Sequence, residues 1–157
     1  MTRSTKSSLF PDVNVWGALT YEGHVHHGVV ALWLVGAGRD VRLFFCRITQ
    51  LSLLRLLTTD AIMGREALNQ RNAWRVYDRW LRDERIALLP EPAELERSFR
   101  RLTRSRLASP KDWADSYLAA FASRASLTLV TFDQALHRRV RQSLLLSGED
   151  RTAAKSP

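Results

Sequence analysis

The segment Leu127 to Asp133, LTLVTFD, suits few environments. Its first six residues are all apolar or β-branched, with none of the in/out alternation of a half-exposed strand, so it reads as a strand buried on both faces of a parallel sheet. It stops at an acid, and the carboxyl ends of such strands are where open α/β sheets place their chemistry. The stretch before it is a helix starting near Pro110. Ser109 reads as its N-cap, Pro110 as its first residue, and Asp112 as the acid that reaches back to the cap. Ala114, Leu118, Phe121, Ala122 and Ala125 recur with helical spacing and make a flat, small-residue face suited to a sheet. Asp115 borders that face. Alone, Asp115 is a favourable charge near a helix N-terminus, and Asp133 a cap for whatever follows.

A third acid changes the weighting. Ser8 to Pro11 is a short apolar entry strand, and Pro11, which cannot donate to a ladder, stands at its end. Asp12 then occupies a strand-to-helix junction. Val13 to Leu19 follows as a short helix interrupted at Gly17. Glu22 to Gly38 reads as a helix whose start exposes His24, His26 and His27, one of them placed for substrate contact. No cysteine or nearby acid completes a zinc set around them. Val41 to Phe45 is a second strand, and Arg47 to Thr59 a helix with a polar stripe of Thr49, Ser52, Arg55 and Thr59.

Ile62 to Gly64 reads as a loop, and Glu66 to Leu81 as a helix whose Trp74, Tyr77 and Trp80 belong to core or interface. Ile86 to Leu89 is a third strand. Ala93 to Leu107 reads as an arginine-rich helix, either a solvated face or a phosphate track. After Asp133, Gln134 to Leu146 reads as a basic helix, and 1–7 and 147–157 as loose tails. The alternation implies one α/β domain over 1–157, a three-layer α/β/α sandwich around a mostly parallel four- to five-stranded sheet.

The 24 Lys and Arg outnumber the 16 Asp and Glu, giving a net charge of +8, and only three of the cations are lysines. Arginine grips phosphate bidentately, so the excess suits a nucleic-acid or acidic-protein partner; an arginine-rich proteome would produce it equally well. A single cysteine, Cys46, excludes an internal disulfide and a cysteine metal cluster, as in a reducing compartment. No apolar run approaches the ~18 residues of a membrane span, and no signal-peptide core follows the N-terminus, so the expected location is the cytoplasm.

Three carboxylates, Asp12, Asp115 and Asp133, brought to one sheet edge repel one another unless a cation holds them, and an oxygen-only set suits Mg²⁺ or Mn²⁺. In a basic protein the matching reaction is phosphodiester hydrolysis. No Walker A loop or GxGxxG is present, which argues against a nucleotide cofactor.

Four segments, DVNVW at 12–16, FCRITQL at 45–51, DSYLAAFA at 115–122 and TFD at 131–133, are similar in order and spacing to PIN-domain ribonucleases of the VapC toxin type, the toxic half of a type II toxin-antitoxin pair. The resemblance covers about residues 8 to 140. It implies Asp12, Asp115 and Asp133 as catalytic metal ligands, with Asn14 and Thr131 supporting them by hydrogen bonds. It also implies cleavage of structured RNA such as tRNA or rRNA, a homodimer, and inhibition by a cognate antitoxin. Arg47, Lys111, Arg138 and Arg139 are then the cations expected to meet RNA.

One departure stands out. Most of the family carries a glutamate where Ser52 aligns, which removes a negative ligand; Asp112 or Glu66 is the candidate to make it up. The alternative is a PIN-like module that binds RNA or protein with catalysis weakened at Ser52. A phosphoacceptor domain ranks lower, because Asn14 and Trp16 stand where a haloacid-dehalogenase site needs Asp and Thr, and Lys155 lies too far along for a receiver lysine.

Overall fold

The computed structural model describes residues 6–147, so most of both expected tails, 1–5 and 148–157, lies outside the described residues. Ser7, assigned to the N-terminal tail, already belongs to β1 (Ser7–Pro11). With β2 (Val41–Phe45), β3 (Ile86–Leu88), β4 (Thr128–Thr131) and β5 (Ser143–Leu145) it forms one five-stranded sheet, parallel throughout, in the order β3-β2-β1-β4-β5. The helices are α1 (Val13–Thr20), α2 (His27–Ala37), α3 (Arg47–Leu57), α4 (Asp60–Met63), α5 (Gln70–Leu81), α6 (Leu95–Leu102), α7 (Asp112–Arg124) and α8 (Gln134–Arg139).

Alternate residues of each central strand feed two cores. Leu9, Leu43, Phe45 and Val130 pack with α1, α2, α3 and α5 on one face. Phe10, Phe44 and Leu129 pack with α6, α7 and α8 on the other. Strands covered on both sides have no polar face to show, which is why LTLVTF lacks alternation. On the second face Phe10 stacks on Phe121 at 5.0 Å, seating the small-residue helix α7 flat on the sheet. On the first, Trp16 of α1 lies on Phe45 at 3.8 Å between ring centres.

The connectivity positions the site. From β1 the chain builds outward to β2 and β3, then crosses back to add β4 and β5 on the other side. The order reverses between β1 and β4, and the crevice beyond the carboxyl ends of strands at such a reversal is the usual binding position in open α/β sheets. Asp12 follows β1 and Asp133 follows β4. The two strand ends are tied by Asp12 N–H donating to Val130 O at 3.0 Å.

Several expectations need correction. Gly17 does not interrupt α1; it lets α1 and α3 approach, since a Cβ there would stand 2.9 Å from Leu56 Cδ1. The segment expected as a helix from Glu22 begins only at His27, and Ile62–Gly64 is not a loop but the end of α4 and the start of a 3-10 turn, Gly64–Glu66. Helix α5 starts at Gln70, four residues later than the pattern suggests, where Asn69 caps it through Asn72 N–H. Helix α6 ends at Leu102, leaving Arg104 and Arg106 beyond it.

The expected helix Gln134–Leu146 is α8 followed by the edge strand β5. Its turn is fixed by Ser143 Oγ, which lies 3.1 Å from His137 O and 2.7 Å from Val140 O. Periodicity cannot distinguish a three-residue apolar run in a strand from the same run in a helix. Among the described residues, no helix is long and apolar enough to cross a membrane.

Candidate active site

Asp12 is buried, only 4% exposed. It is the N-cap of α1, accepting Val15 N–H at 3.0 Å on Oδ1, while Oδ2 accepts the Thr131 hydroxyl at 2.5 Å. Burial raises its pKa above the ordinary carboxylate value. The Thr131 hydroxyl and the Val15 and Asn14 N–H groups pull it back down, and the neighbouring Asp133 charge pushes it up again. Thr131 is the bridge of the site, because its Oγ also accepts Asp133 N–H at 3.0 Å. The expected hydrogen bond from Thr131 is present, whereas Asn14 has an exposed side chain and acts on Asp12 through its backbone amide.

Asp133 is the N-cap of α8, with Oδ1 accepting Ala135 N–H at 2.8 Å and Leu136 N–H at 3.2 Å. Its Oδ2 faces the exposed Lys111 ammonium at 3.9 Å, a separation at which solvent screens most of the attraction. Asp115, in the first turn of α7, has its pKa raised, first by partial burial and then by Asp133. Lys111 and Arg139 oppose that shift, and Asp112 adds to it. Asp133 is therefore close enough to both Asp12 and Asp115 for its charge to raise each of their pKa values. Among the described residues, no three His, Cys, Asp or Glu side chains stand as a ready-made metal cage.

The start of α7 is not built as its sequence suggests. Ser109 and Pro110 form a turn, closed by Asp112 N–H donating to Ser109 O at 3.0 Å, and the capping position falls to Lys111, whose side chain makes no cap bond. Asp112 instead pairs with Arg139 of α8, and Arg139 also donates to the buried Ser116 Oγ at 2.6 Å. From the other side, Tyr117 donates its hydroxyl to Glu91 at 2.8 Å; burial, and then that carboxylate, push the Tyr117 pKa well up. The turn bearing Asp115 is thus pinned between α8 and the segment after β3.

The pinning makes a prediction. Arg139→Ala should lower kcat by about 10- to 100-fold, since small displacements of a catalytic group cost that much, with Arg139→Lys recovering part of it. Arg139 also holds the Asp115 pKa down, so the acid limb of the pH–rate profile should move to higher pH in the alanine variant. An unchanged kcat and pH profile would show that Arg139 does not position Asp115.

Other expected residues lie elsewhere or are already engaged. Arg47 donates to the buried Gln50 Oε1 at 2.6 Å. Arg138 is exposed and donates to Gln134 at 3.3 Å. Ser52 is half-buried on α3 and makes no hydrogen bond to the three aspartates. Glu66 stands beside Tyr21, whose pKa it raises, and has no interaction with the acids. Thr49, expected in the polar stripe of α3, is buried and caps α3 reciprocally with Cys46.

The histidines are not simply exposed. His24 accepts His26 N–H at 3.1 Å, and His27 Nδ1 lies 2.7 Å from Ala18 O. His26 stacks on Phe132 at 4.6 Å with 23° between the rings, which brings the loop between α1 and α2 against the residue preceding Asp133. Neither this stack nor the Arg139 clamp leaves a sequence signal, as the partners are far apart along the chain.

A PIN domain family model matches residues 9–142. The chain belongs to the PIN-domain family, in its VapC-type ribonuclease branch. Among characterised relatives it is 43% identical over 131 residues to Ribonuclease VapC41 of Mycobacterium tuberculosis, covering 81% of this chain and 90% of that protein. Among solved structures it resembles VapBC2 from Rickettsia felis bound to a promoter DNA fragment, with a TM-score of 0.65, 13% identity and coverage of 89% of this chain and 99% of that one. It also resembles Mycobacterium tuberculosis VapC20, a Sarcin-Ricin loop cleaving toxin, with a TM-score of 0.61, 17% identity and coverage of 83% and 93%. At these identities the structures speak to the fold alone.

Proposed function

We propose that this VapC-type ribonuclease is a divalent-metal-dependent toxin that cuts structured RNA such as tRNA or rRNA at Asp12, Asp115 and Asp133. The observation that carries the proposal is the position of Asp12 and Asp133 after the adjacent strands β1 and β4, linked through the Thr131 hydroxyl, with the Asp12 and Asp115 pKa values both raised by burial and by Asp133. Carboxylates gathered at a cost to their charged forms are relieved by a divalent cation, and an all-oxygen donor set fits Mg²⁺ or Mn²⁺. Bound there, the metal would activate water and offset charge on the phosphate.

The chain's own residues do the rest. Thr131 and the α1 amides orient Asp12, the α8 amides orient Asp133, and Arg139 and Glu91 hold the turn that carries Asp115. Lys111, exposed and 3.9 Å from Asp133, is a cation placed to turn toward a phosphate.

The proposed partners follow from two apolar surfaces. On α2, Leu32 and Val35 are 75% and 78% exposed, a face suited to a segment of a cognate antitoxin. Leu51 of α3 and Trp74 of α5 line one cleft and are also exposed, which suits a homodimer contact. A cytoplasmic setting accords with the RNA substrate.

The test is cleavage of purified tRNA and rRNA by the full chain in Mg²⁺, in Mn²⁺ and in chelator, beside Asp115→Asn. We expect cleavage in either metal, none in chelator and none from the variant. Each saturating metal should also raise the Tm, by about 2.7 kcal/mol of stabilisation at a hundred times its Kd. Undiminished cleavage in chelator would remove the metal from the proposal. Metal binding without cleavage would favour a binding module weakened at Ser52.

A further inference from the structure

The arginines of α6 divide into two kinds. Arg97 and Arg100 are exposed and pair with Glu94, at the start of α6, and Glu96, at 3.2 and 3.4 Å. Arg101 has no carboxylate partner among the described residues and turns into a cleft of about 340 Å³ between α6, α7 and the segment joining α8 to β5. Arg139 and Arg141 also line that cleft, with Ser98, Ser123 and Ser126, and no carboxylate among the described residues does. A larger cleft beside the amino ends of β1, β2 and β3 differs in kind: there Lys6, Arg39 and Arg85 line it together with Asp40, Asp83 and Glu84, and Arg85 is held by Asp83 at 2.8 Å. Of the two, the α6–α7 cleft presents one sign of charge, which is what concentrates an anion.

Its position relates it to the acids. Asp112, Ser116, Ala119 and Ser123 follow one another at four, three and four residues, a single stripe along α7. The stripe begins in the turn that carries Asp115 and ends in the cleft at Ser123, about 12 Å beyond Asp115 at 1.5 Å per residue. Arg139 spans the junction, bonded to Asp112 and Ser116 while lining the cleft.

We infer that this cleft is a phosphate-binding subsite for the RNA backbone, where Arg101 and Arg141 grip the substrate strand a short distance from the scissile bond. The inference rests on the reading of Asp12, Asp115 and Asp133 as a ribonuclease site and adds the course of the strand across α7. Guanidinium groups take phosphate bidentately, and serine hydroxyls can donate to the remaining oxygens.

The test is binding rather than cleavage: fluorescence anisotropy of a short, end-labelled oligouridylate with the full chain in chelator, over a salt series. Arg101→Ala/Arg141→Ala should weaken binding about tenfold at low salt. It should also flatten the salt dependence by roughly 1.4, the share of two phosphate contacts at ~0.7 each on a single strand. Arg97→Ala/Arg100→Ala removes the same charge from the ion-paired positions and should change binding less than about twofold by the same reasoning on exposed pairs.

Equal losses in the two double variants would reduce the effect to net charge and overturn the subsite, as would no loss in either. Displacement of the oligouridylate by low-millimolar inorganic phosphate would make the cleft a site for the free anion instead, and also overturn it. Because no cleavage is read, failure here leaves the aspartate site standing. Conversely, cleavage that survives Asp115→Asn would end that reading and leave the cleft intact.

Discussion

Asp12→Asn is expected to remove RNA cleavage, on the order of 10³-fold in kcat, while raising the Tm at neutral pH in chelator. The two effects share a cause. The Asp12 carboxylate is buried, and burial outweighs the Thr131 hydroxyl and the Val15 and Asn14 amides in setting its pKa, with Asp133 adding repulsion. The folded-state pKa therefore lies above the unfolded value of about 3.9. A carboxyl shifted this way contributes its stability fully below the unfolded value and loses it as pH rises through the folded one.

The ionised Asp12 carboxylate is thus a charge that the fold disfavours. Asparagine carries none, yet keeps an oxygen for Val15 N–H, so α1 stays capped. The Tm advantage of the variant should shrink as pH falls toward the unfolded value and Asp12 takes up its proton. Melting curves over that range in chelator, beside a cleavage assay in Mn²⁺, check both halves. A variant that still cuts, or an advantage that grows as pH falls, would contradict the assignment.

The sequence reading succeeded where a residue's surroundings are local or periodic. An unalternated apolar run identified β4 because both faces of that strand are covered, and each acid at a strand end could be located from the strand alone. It failed where a distant partner decides. Thr131 and Asp12 are 119 residues apart; a family resemblance suggested their bond, but the exposed side chain of Asn14 could not be foreseen. Asp112 has the spacing of a capping residue, and only the arrival of Arg139, 27 residues later, draws it away. The LLL run at 144–146 could be helix or strand, and pairing with β4 settled it. The two kinds of arginine on α6 look alike in sequence, because their difference lies in what α7 and the start of β5 place opposite them.

Trp16 offers the sharpest separation of packing from chemistry. It is fully buried, stacked on Phe45 at 3.8 Å and met edge-on by Trp80 at 5.6 Å, and it sits one turn after Asp12 on the same helix. Trp16→Ala should cost about 3–5 kcal/mol, a fall in Tm of roughly 10–15 °C for a chain of this size. Trp16→Phe should cost far less than its lost volume suggests. The buried indole N–H has no hydrogen-bond partner among the described residues, and removing an unpaired buried donor returns about 1–3 kcal/mol, leaving a net change within about 1.5 kcal/mol.

Denaturant melts of the two variants check the stabilities, and cleavage at a temperature where both remain folded checks the link to function. The β2 ring under Trp16 anchors the helix that Asp12 caps, so the alanine variant should cut more slowly than the phenylalanine variant even when both are native. Equal rates would mean that the Thr131 bridge alone holds Asp12 in place, and that the stack under α1 serves stability only.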